Sequence, residues 1–210
     1  MKVSASMLSA DPTRLGEDLL AAARGGADAI HWDVMDGNYV DAITFGAHVI
    51  ERHRKLTDIP FEVHLMVCNP DRHVSTFAEC GADIIIIHPE TCHHLHRTLR
   101  RIVDMGKKAG VALNPSTTTE FIEYCDGVLD MVLVMTVNPG YSGQSFLESQ
   151  LKKISKLRKA LPPKIEIIVD GGINASTAAV CRESGATGCV TGAFLFGHED
   201  YKTAIQSLKR

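Results

Sequence analysis

Residues 25–37 read GGADAIHWDVMDG, and two signals in this stretch decide the fold. GGAD closes a helix, because glycine suits the left-handed position just past a helix end. DAIHWDV then reads as a strand, with Ile30, Trp32 and Val34 on one face and His31, Asp33 and Met35 on the other. The same small, polar turn returns as CGAD at 80–83 before IIII and as SGAT at 184–187 before GCVTG. A helix-to-strand turn used three times marks a repeated β-α unit.

Working outward, eight short runs read as strands: VSASML, DAIHWDV, FEVHLMV, ADIIIIH, GVALN, DMVLVMTV, IEIIVD and TGCVTG. The first helix is expected after Asp11 and Pro12, with Asp11 as N-cap and Pro12 at the first helical position. A second falls near residues 46–56, and Asn69–Pro70 should start a third in the same way. Others are expected through LHRTLRRIVDMGKKA and over residues 118–125, 147–160, 175–184 and 200–208. Eight strands alternating with helices predict a parallel (β/α)8 TIM barrel, a single catalytic domain over residues 1–210. An open doubly wound sheet fits less well, because no G-x-G-x-x-G follows the first strand.

Composition narrows the function. The chain has 210 residues, 45% of them hydrophobic, enough for one sizeable core. A net charge of −3 with no basic stripe argues against nucleic acid. Apolar runs such as IIII at 84–87 are too short to span a bilayer, and the N-terminus lacks the apolar core of a signal peptide. Six cysteines without a C-x-x-C pair read as reduced thiols of a cytoplasmic protein.

In such barrels the chemistry gathers at the C-terminal ends of the strands. His31 and Asp33 share a face of the second strand, His64 lies near the end of the third, and Asp170 closes the seventh. Two imidazoles and two carboxylates can converge on one divalent ion, and a mixed nitrogen and oxygen set suits Zn²⁺, Fe²⁺, Mn²⁺ or Co²⁺. For a lone histidine, a hydrogen-bonded core role is the better reading. For four such residues at strand ends it is the worse one, since buried carboxylates are costly without a cation.

A second constellation is glycine-rich. NPGYSGQSF (138–146) follows the sixth strand with the composition of a mobile lid. Gly171 and Gly172 follow the seventh strand, Gly192 and Ala193 the eighth, where backbone N–H groups often cradle a phosphate. Any one glycine reads as a turn; their joint placement suggests more. Met35, Met66 and Met135, each at a strand end, would wall the site with apolar, polarizable surface, although methionine is usually core filler. His88 could border the pocket and has no assigned role. His93, His94 and His96 read as a solvated part of a helix, and His48, His53, His73 and His198 as surface.

At this point the words LSAD (8–11), IHWDVMDG (30–37), VHLMV (63–67), GVALNPST (110–117), VLVMTVNPG (132–140) and VDGGIN (169–174) can be set side by side. Along essentially its whole length the chain resembles the ribulose-phosphate 3-epimerases. The resemblance implies a (β/α)8 barrel with one divalent metal ion that inverts C3 of a ketose phosphate. The substrate pair would be D-ribulose 5-phosphate and D-xylulose 5-phosphate. It implies His31, Asp33, His64 and Asp170 as metal ligands, and Asp33 and Asp170 as the two bases working through a cis-enediolate. It implies substrate contacts from Ser6, His64, the loop Gly140, Tyr141, Ser142 and Gly143, and from Gly171, Gly172, Gly192 and Ala193, the last four near the phosphate.

The chain departs from the usual family pattern at Ala5, at Asp41–Ala42, at Tyr141–Ser142 and at Ala193. The first, third and fourth are expected to touch the pocket. A related substrate, such as the six-carbon D-allulose 6-phosphate, is therefore the alternative reading. A Schiff-base aldolase would need a lysine inside a strand, and Lys2 and Lys164 fall at strand starts. A non-enzymatic sugar-phosphate sensor would have lost an acid, and both acids are present. A homo-oligomer is expected, because exposed barrel helices often pair.

Overall fold

Runs of four to seven residues, β-branched or aliphatic on both faces, make strands that must be covered on both sides. In the computed structural model, which describes residues 1–210, eight of them pair in parallel and close on themselves in sequence order. They are β1 (Lys2–Ser6), β2 (Ala29–Met35), β3 (Phe61–Met66), β4 (Ile84–Ile87), β5 (Lys108–Leu113), β6 (Met131–Met135), β7 (Glu166–Asp170) and β8 (Gly188–Thr191). Around them run α1 (Leu15–Gly25), α2 (Ala47–Arg54), α3 (Val74–Glu79), α4 (Leu95–Asp104), α5 (Gln150–Ala160), α6 (Ala175–Glu183), the single turn α7 (Ala193–Phe196) and α8 (Tyr201–Lys209). The result is a single-domain (β/α)8 barrel. No helix is long and apolar enough to cross a membrane.

The reused turn is where the sequence placed it. Gly26, Gly81 and Gly185 have φ of 97°, 104° and 106°, left-handed values that a side chain disfavours. Three expected helix boundaries are corrected. Asp11 does not cap α1: its carboxylate accepts from the Thr13 N–H at 2.9 Å and the Thr13 hydroxyl at 2.7 Å. That local turn delays the helix to Leu15. Pro70 opens a 3₁₀ turn, Pro70–Arg72, before α3, and the Asn69 side chain makes no cap. Residues 118–125 hold only a 3₁₀ turn, Thr119–Ile122. Ile122, Cys125 and Val128 are the buried anchors there, and their spacing of three matches a 3₁₀ period rather than an α-helical one.

Alternation along the strands separates two interiors. Outward side chains such as Ile30, Trp32, Phe61, Val63 and Ile85 pack under the helices. Trp32 is fully buried among Phe45, Phe61 and His53, with ring centroids 5.1, 5.7 and 5.4 Å away. His53 is thus half-buried core lining rather than free surface, and its Nδ1 bonds the Val49 carbonyl at 2.7 Å. Burying one such large side chain contributes about 2–3 kcal/mol.

Inside the barrel, one arc is apolar: Ile84, Ile86, Ala112, Met131, Leu133, Met135, Ile168 and Val190 form a cluster of their own. The opposite arc, from β1 to β3, carries buried Ser4, Ser6, His31, Asp33, Glu62 and His64. That polar arc positions the site.

Candidate active site

Strand register brings the expected groups together. Asp33 lies beside His64, Ser6 beside His31, and Met135 beside Asp170. One ligand atom from each of His31, Asp33, His64 and Asp170 falls within 4.8 Å of all the others. Asp33 Oδ1 is 3.4 Å from His31 Nε2 and 3.3 Å from His64 Nδ1, and Asp170 Oδ2 is 4.0 Å from each ring. The Ser6 hydroxyl donates to Asp33 Oδ2 at 2.6 Å. Thr136 fixes the end of β7, its N–H and hydroxyl both donating to the Asp170 carbonyl, at 2.7 and 2.9 Å.

The two carboxyls are tuned apart. Burial alone would raise Asp33, but the charge of His31, and then His64 with its Nδ1 3.3 Å away, hold it well below the usual carboxylate range. Burial, and then the neighbouring Asp33 charge, push Asp170 up to about 7. Burial opposes a charge on His31, yet Asp33 and Glu62 hold its pKa well above the ordinary value. Burial lowers His64 to about 4.

These residues fit a divalent cation. His31 Nε2 is fully buried and has no hydrogen-bond partner, an expensive state for a polar atom. It points at two carboxylates that repel each other. A cation among the four donors would pair the orphaned nitrogen and neutralise the like charges.

Above the cluster lies a cavity of about 380 Å³. Ser6, Asp33 and Asp170 reach its floor, Met35, Met66 and Met135 its wall, and Gly140, Tyr141, Ser142, Gly143, Gly171, Gly172, Gly192 and Ala193 its rim. His31 and His64 are fully buried and do not line it. The 138–146 loop spans the mouth, where the hydroxyls of Ser142 and Ser9 meet at 2.5 Å. Gln144 Nε2 ties that loop to the Asn138 and Tyr141 carbonyls, at 2.7 and 2.9 Å. Ala5, expected at the pocket, is not there. Strand alternation turns Ser4 and Ser6 inward and sends Ala5 into the outer core, fully buried.

A model of the ribulose-phosphate 3 epimerase family matches residues 2–196. The chain belongs to the ribulose-phosphate 3-epimerase family. Membership makes it an isomerase, by class an epimerase. A ribulose-phosphate 3-epimerase of Bacillus subtilis is 46% identical over 213 residues, covering 100% of this chain and 98% of its own. A chloroplastic ribulose-5-phosphate-3-epimerase of Arabidopsis thaliana is 47% identical, covering 99% of this chain and 75% of its own. Among solved structures, KGPDC from Streptococcus mutans superposes with a TM-score of 0.74 at 15% identity, covering 99% of this chain and 95% of its own. At that identity the likeness speaks for the fold alone.

Three further groups of this epimerase-family site went unassigned in the sequence. Glu62 accepts from His31 Nδ1 at 2.9 Å and from the Ser4 hydroxyl at 3.0 Å. Its signal was available, since it stands two residues before His64 and so shares the inward face. His88 is fully buried and meets His64 rather than the cavity. Glu90 lies behind it, with Oε2 3.6 Å from His88 Nδ1. No spacing rule announces that pair. Of the other histidines, His48, His73, His93, His94, His96 and His198 are exposed as expected, although of the 93–96 group only His96 lies within a helix.

Proposed function

We propose that the chain interconverts D-ribulose 5-phosphate and D-xylulose 5-phosphate by proton exchange at C3. The observation that carries this reading is the pair of carboxyls, Asp33 and Asp170, brought from β2 and β7 to one cavity floor. Inversion by proton exchange needs a base on one face of the carbon and an acid on the other. Two carboxyls that reach the floor from different strands suit those roles. Asp33, held ionised, takes the C3 proton of one epimer. Charge spreads over the C2 and C3 oxygens as a planar enediolate. Asp170, in its protonated form, delivers a proton to the opposite face, and the reverse reaction exchanges the roles.

His31, Asp33, His64 and Asp170 would hold a divalent metal ion, Fe²⁺, Zn²⁺, Mn²⁺ or Co²⁺, which supplies electrostatic stabilisation of the developing oxyanion. Proton transfer alone contributes about 10²–10⁴-fold, so that stabilisation has much of the barrier to lower. Met35, Met66 and Met135 keep water from the enediolate. Gly171, Gly172, Gly192 and Ala193 offer backbone N–H groups to the phosphate, and the Gly140–Gly143 loop covers the sugar.

The departures at Tyr141, Ser142 and Ala193 line the cavity, which keeps D-allulose 6-phosphate as the second reading. Epimerisation assays across five- and six-carbon ketose phosphates decide between them: the highest kcat/KM should fall on ribulose 5-phosphate. Turnover in deuterated water should place deuterium at C3. Retention of the original hydrogen there, with net inversion, would exclude this chemistry.

A further inference from the structure

His64 and His88 meet nitrogen to nitrogen. Their Nε2 atoms are 2.8 Å apart. With ring centroids 5.0 Å apart and planes inclined by 27°, the rings lie end to end rather than face to face. Such a contact holds one proton between two neutral rings, and which ring owns it sets the state of both outer nitrogens. If His88 donates, its Nδ1 lone pair faces Glu90 Oε2, 3.6 Å away, and His64 Nδ1 carries a hydrogen into the cluster. If His64 donates, His88 Nδ1–H faces the carboxylate and His64 Nδ1 offers a lone pair toward Asp33 and Asp170. Glu90 is committed as an acceptor, because its Oε1 takes hydrogen bonds from the Thr117 hydroxyl and from Asn114 Nδ2. Anions face both ends, since Asp33 Oδ1 lies 3.3 Å from His64 Nδ1. A cation in the cluster takes that nitrogen's lone pair and so goes with the second arrangement, which Glu90 favours by facing the His88 N–H.

We propose that Glu90 and His88 are positioning residues: the Glu90 carboxylate favours the His88 tautomer with hydrogen on Nδ1, and through it the His64 tautomer whose Nδ1 can bind a divalent ion. Glu62 does the same for His31 in one step, accepting from Nδ1, so that the unpartnered Nε2 is the nitrogen turned to the cluster. The two histidines thus present different ring nitrogens to one point, each fixed by its own carboxylate. Partners of this kind behind a ligand typically change metal affinity by about 10–100-fold. The inference rests on the proposed reading of the cluster as a metal site.

The test pairs zinc affinity, read by competition with a chromophoric chelator, with ¹⁵N NMR of histidine-labelled protein with and without zinc. The wild type should bind one Zn²⁺ and, once loaded, show His64 protonated at Nε2 and His88 at Nδ1. Glu90→Gln is isosteric at a partly exposed position, so folding should survive; its amide can donate as well as accept, and the metal-free His64 should shift toward the Nδ1–H form that Asp33 favours. Zinc affinity should then fall about 10–100-fold. His88→Leu should lose affinity similarly. His88→Gln should restore much of it, because an amide oxygen can accept from His64 Nε2–H; a packing role would favour leucine at so buried a site. If Glu90→Gln leaves both tautomer and affinity at wild-type values, the relay is refuted. If the wild type binds no Zn²⁺, the metal reading beneath it fails, and the relay with it.

Discussion

Carboxylates meet the strands at both ends of this barrel, and they are partnered in opposite ways. At the N-terminal end, Asp28, Asp83 and Asp130 each stand just ahead of an even-numbered strand. Each accepts from a backbone N–H of the strand before: Val3 at 2.8 Å, Phe61 at 2.8 Å and Ala109 at 2.9 Å. The Thr187 hydroxyl does the same for Ile167 at 3.0 Å. Lys209 and Arg54 complete Asp28 and Asp83. At the C-terminal end, Asp33 and Asp170 face histidines and each other, and His31 Nε2 is left without a partner. Fold stability is served where acid and backbone satisfy each other locally. Where side chains hold one another short of satisfaction, the structure is shaped for something it must still bind.

That contrast breaks first under chelation. Prolonged removal of divalent ions should abolish activity, and Fe²⁺, Zn²⁺, Mn²⁺ or Co²⁺ should restore it. Full turnover in protein shown by elemental analysis to be metal-free would end the metal assignment. Asp170→Asn should come next, with net epimerisation lowered by at least about 10²–10⁴-fold while the fold persists. Asp33 would then exchange the C3 proton of one epimer or of neither. Equal exchange of both epimers with continued inversion would call for a single-base mechanism.

A third effect lies in the metal-free protein. Asp170 has a folded pKa of about 7 against an ordinary 3.8. The stability it carries is therefore complete below about pH 4 and is lost as pH rises through about 7, by an amount on the order of a few kcal/mol. His31, also raised, has the same sign, its loss beginning near the ordinary 6.5 and ending at its raised pKa. Asp33, lowered, adds no loss in this window. Thermal melts from pH 4 to 8 should show the metal-free Tm falling, and Asp170→Asn should flatten that slope. An unchanged Tm across the window in metal-free wild type would mean that the two acids are not in conflict.

Gly192→Asp should raise KM by about 10–100-fold, the equivalent of roughly 1.4–2.7 kcal/mol. A side chain there runs into Ser9 and sets a negative charge where the phosphate is proposed to sit. A KM within twofold of wild type would move the phosphate elsewhere. The smallest effect belongs to the other end: Asp83→Ala should cost about 1 kcal/mol of stability and leave kcat intact. Denaturant unfolding and steady-state kinetics measure the two, and a kcat loss beyond the stability loss would blur the division between the ends.

Much of this molecule was legible because it depends on neighbours in the chain. Gly26, Gly81 and Gly185 could be read as helix ends because left-handed backbone is a local demand. His31 with Asp33, and His64 with Met66, could be assigned to one face because strand side chains alternate. The start of α1 escaped for an equally local reason: the Asp11 side chain could cap a helix or close a turn on Thr13, and the pattern fits both. Glu62 was readable by parity and passed over. Glu90 and His88 were not readable, since their meaning lies in a bond from His88 to a ring 24 positions earlier.

The order of amino acids by itself determined the repeated β-α unit, the inward face of each strand and the inventory of groups at the strand ends, all of which follow from backbone geometry over a few residues. Closure of the barrel decided the rest. It set β8 against β1, brought Asp170 to Asp33 across a sequence separation of 137, and split the interior into a polar and an apolar arc. Electrostatics then did what no local pattern encodes. Burial and a like charge raised one aspartate while two imidazoles lowered the other, because such shifts depend on distance and solvent exclusion in three dimensions.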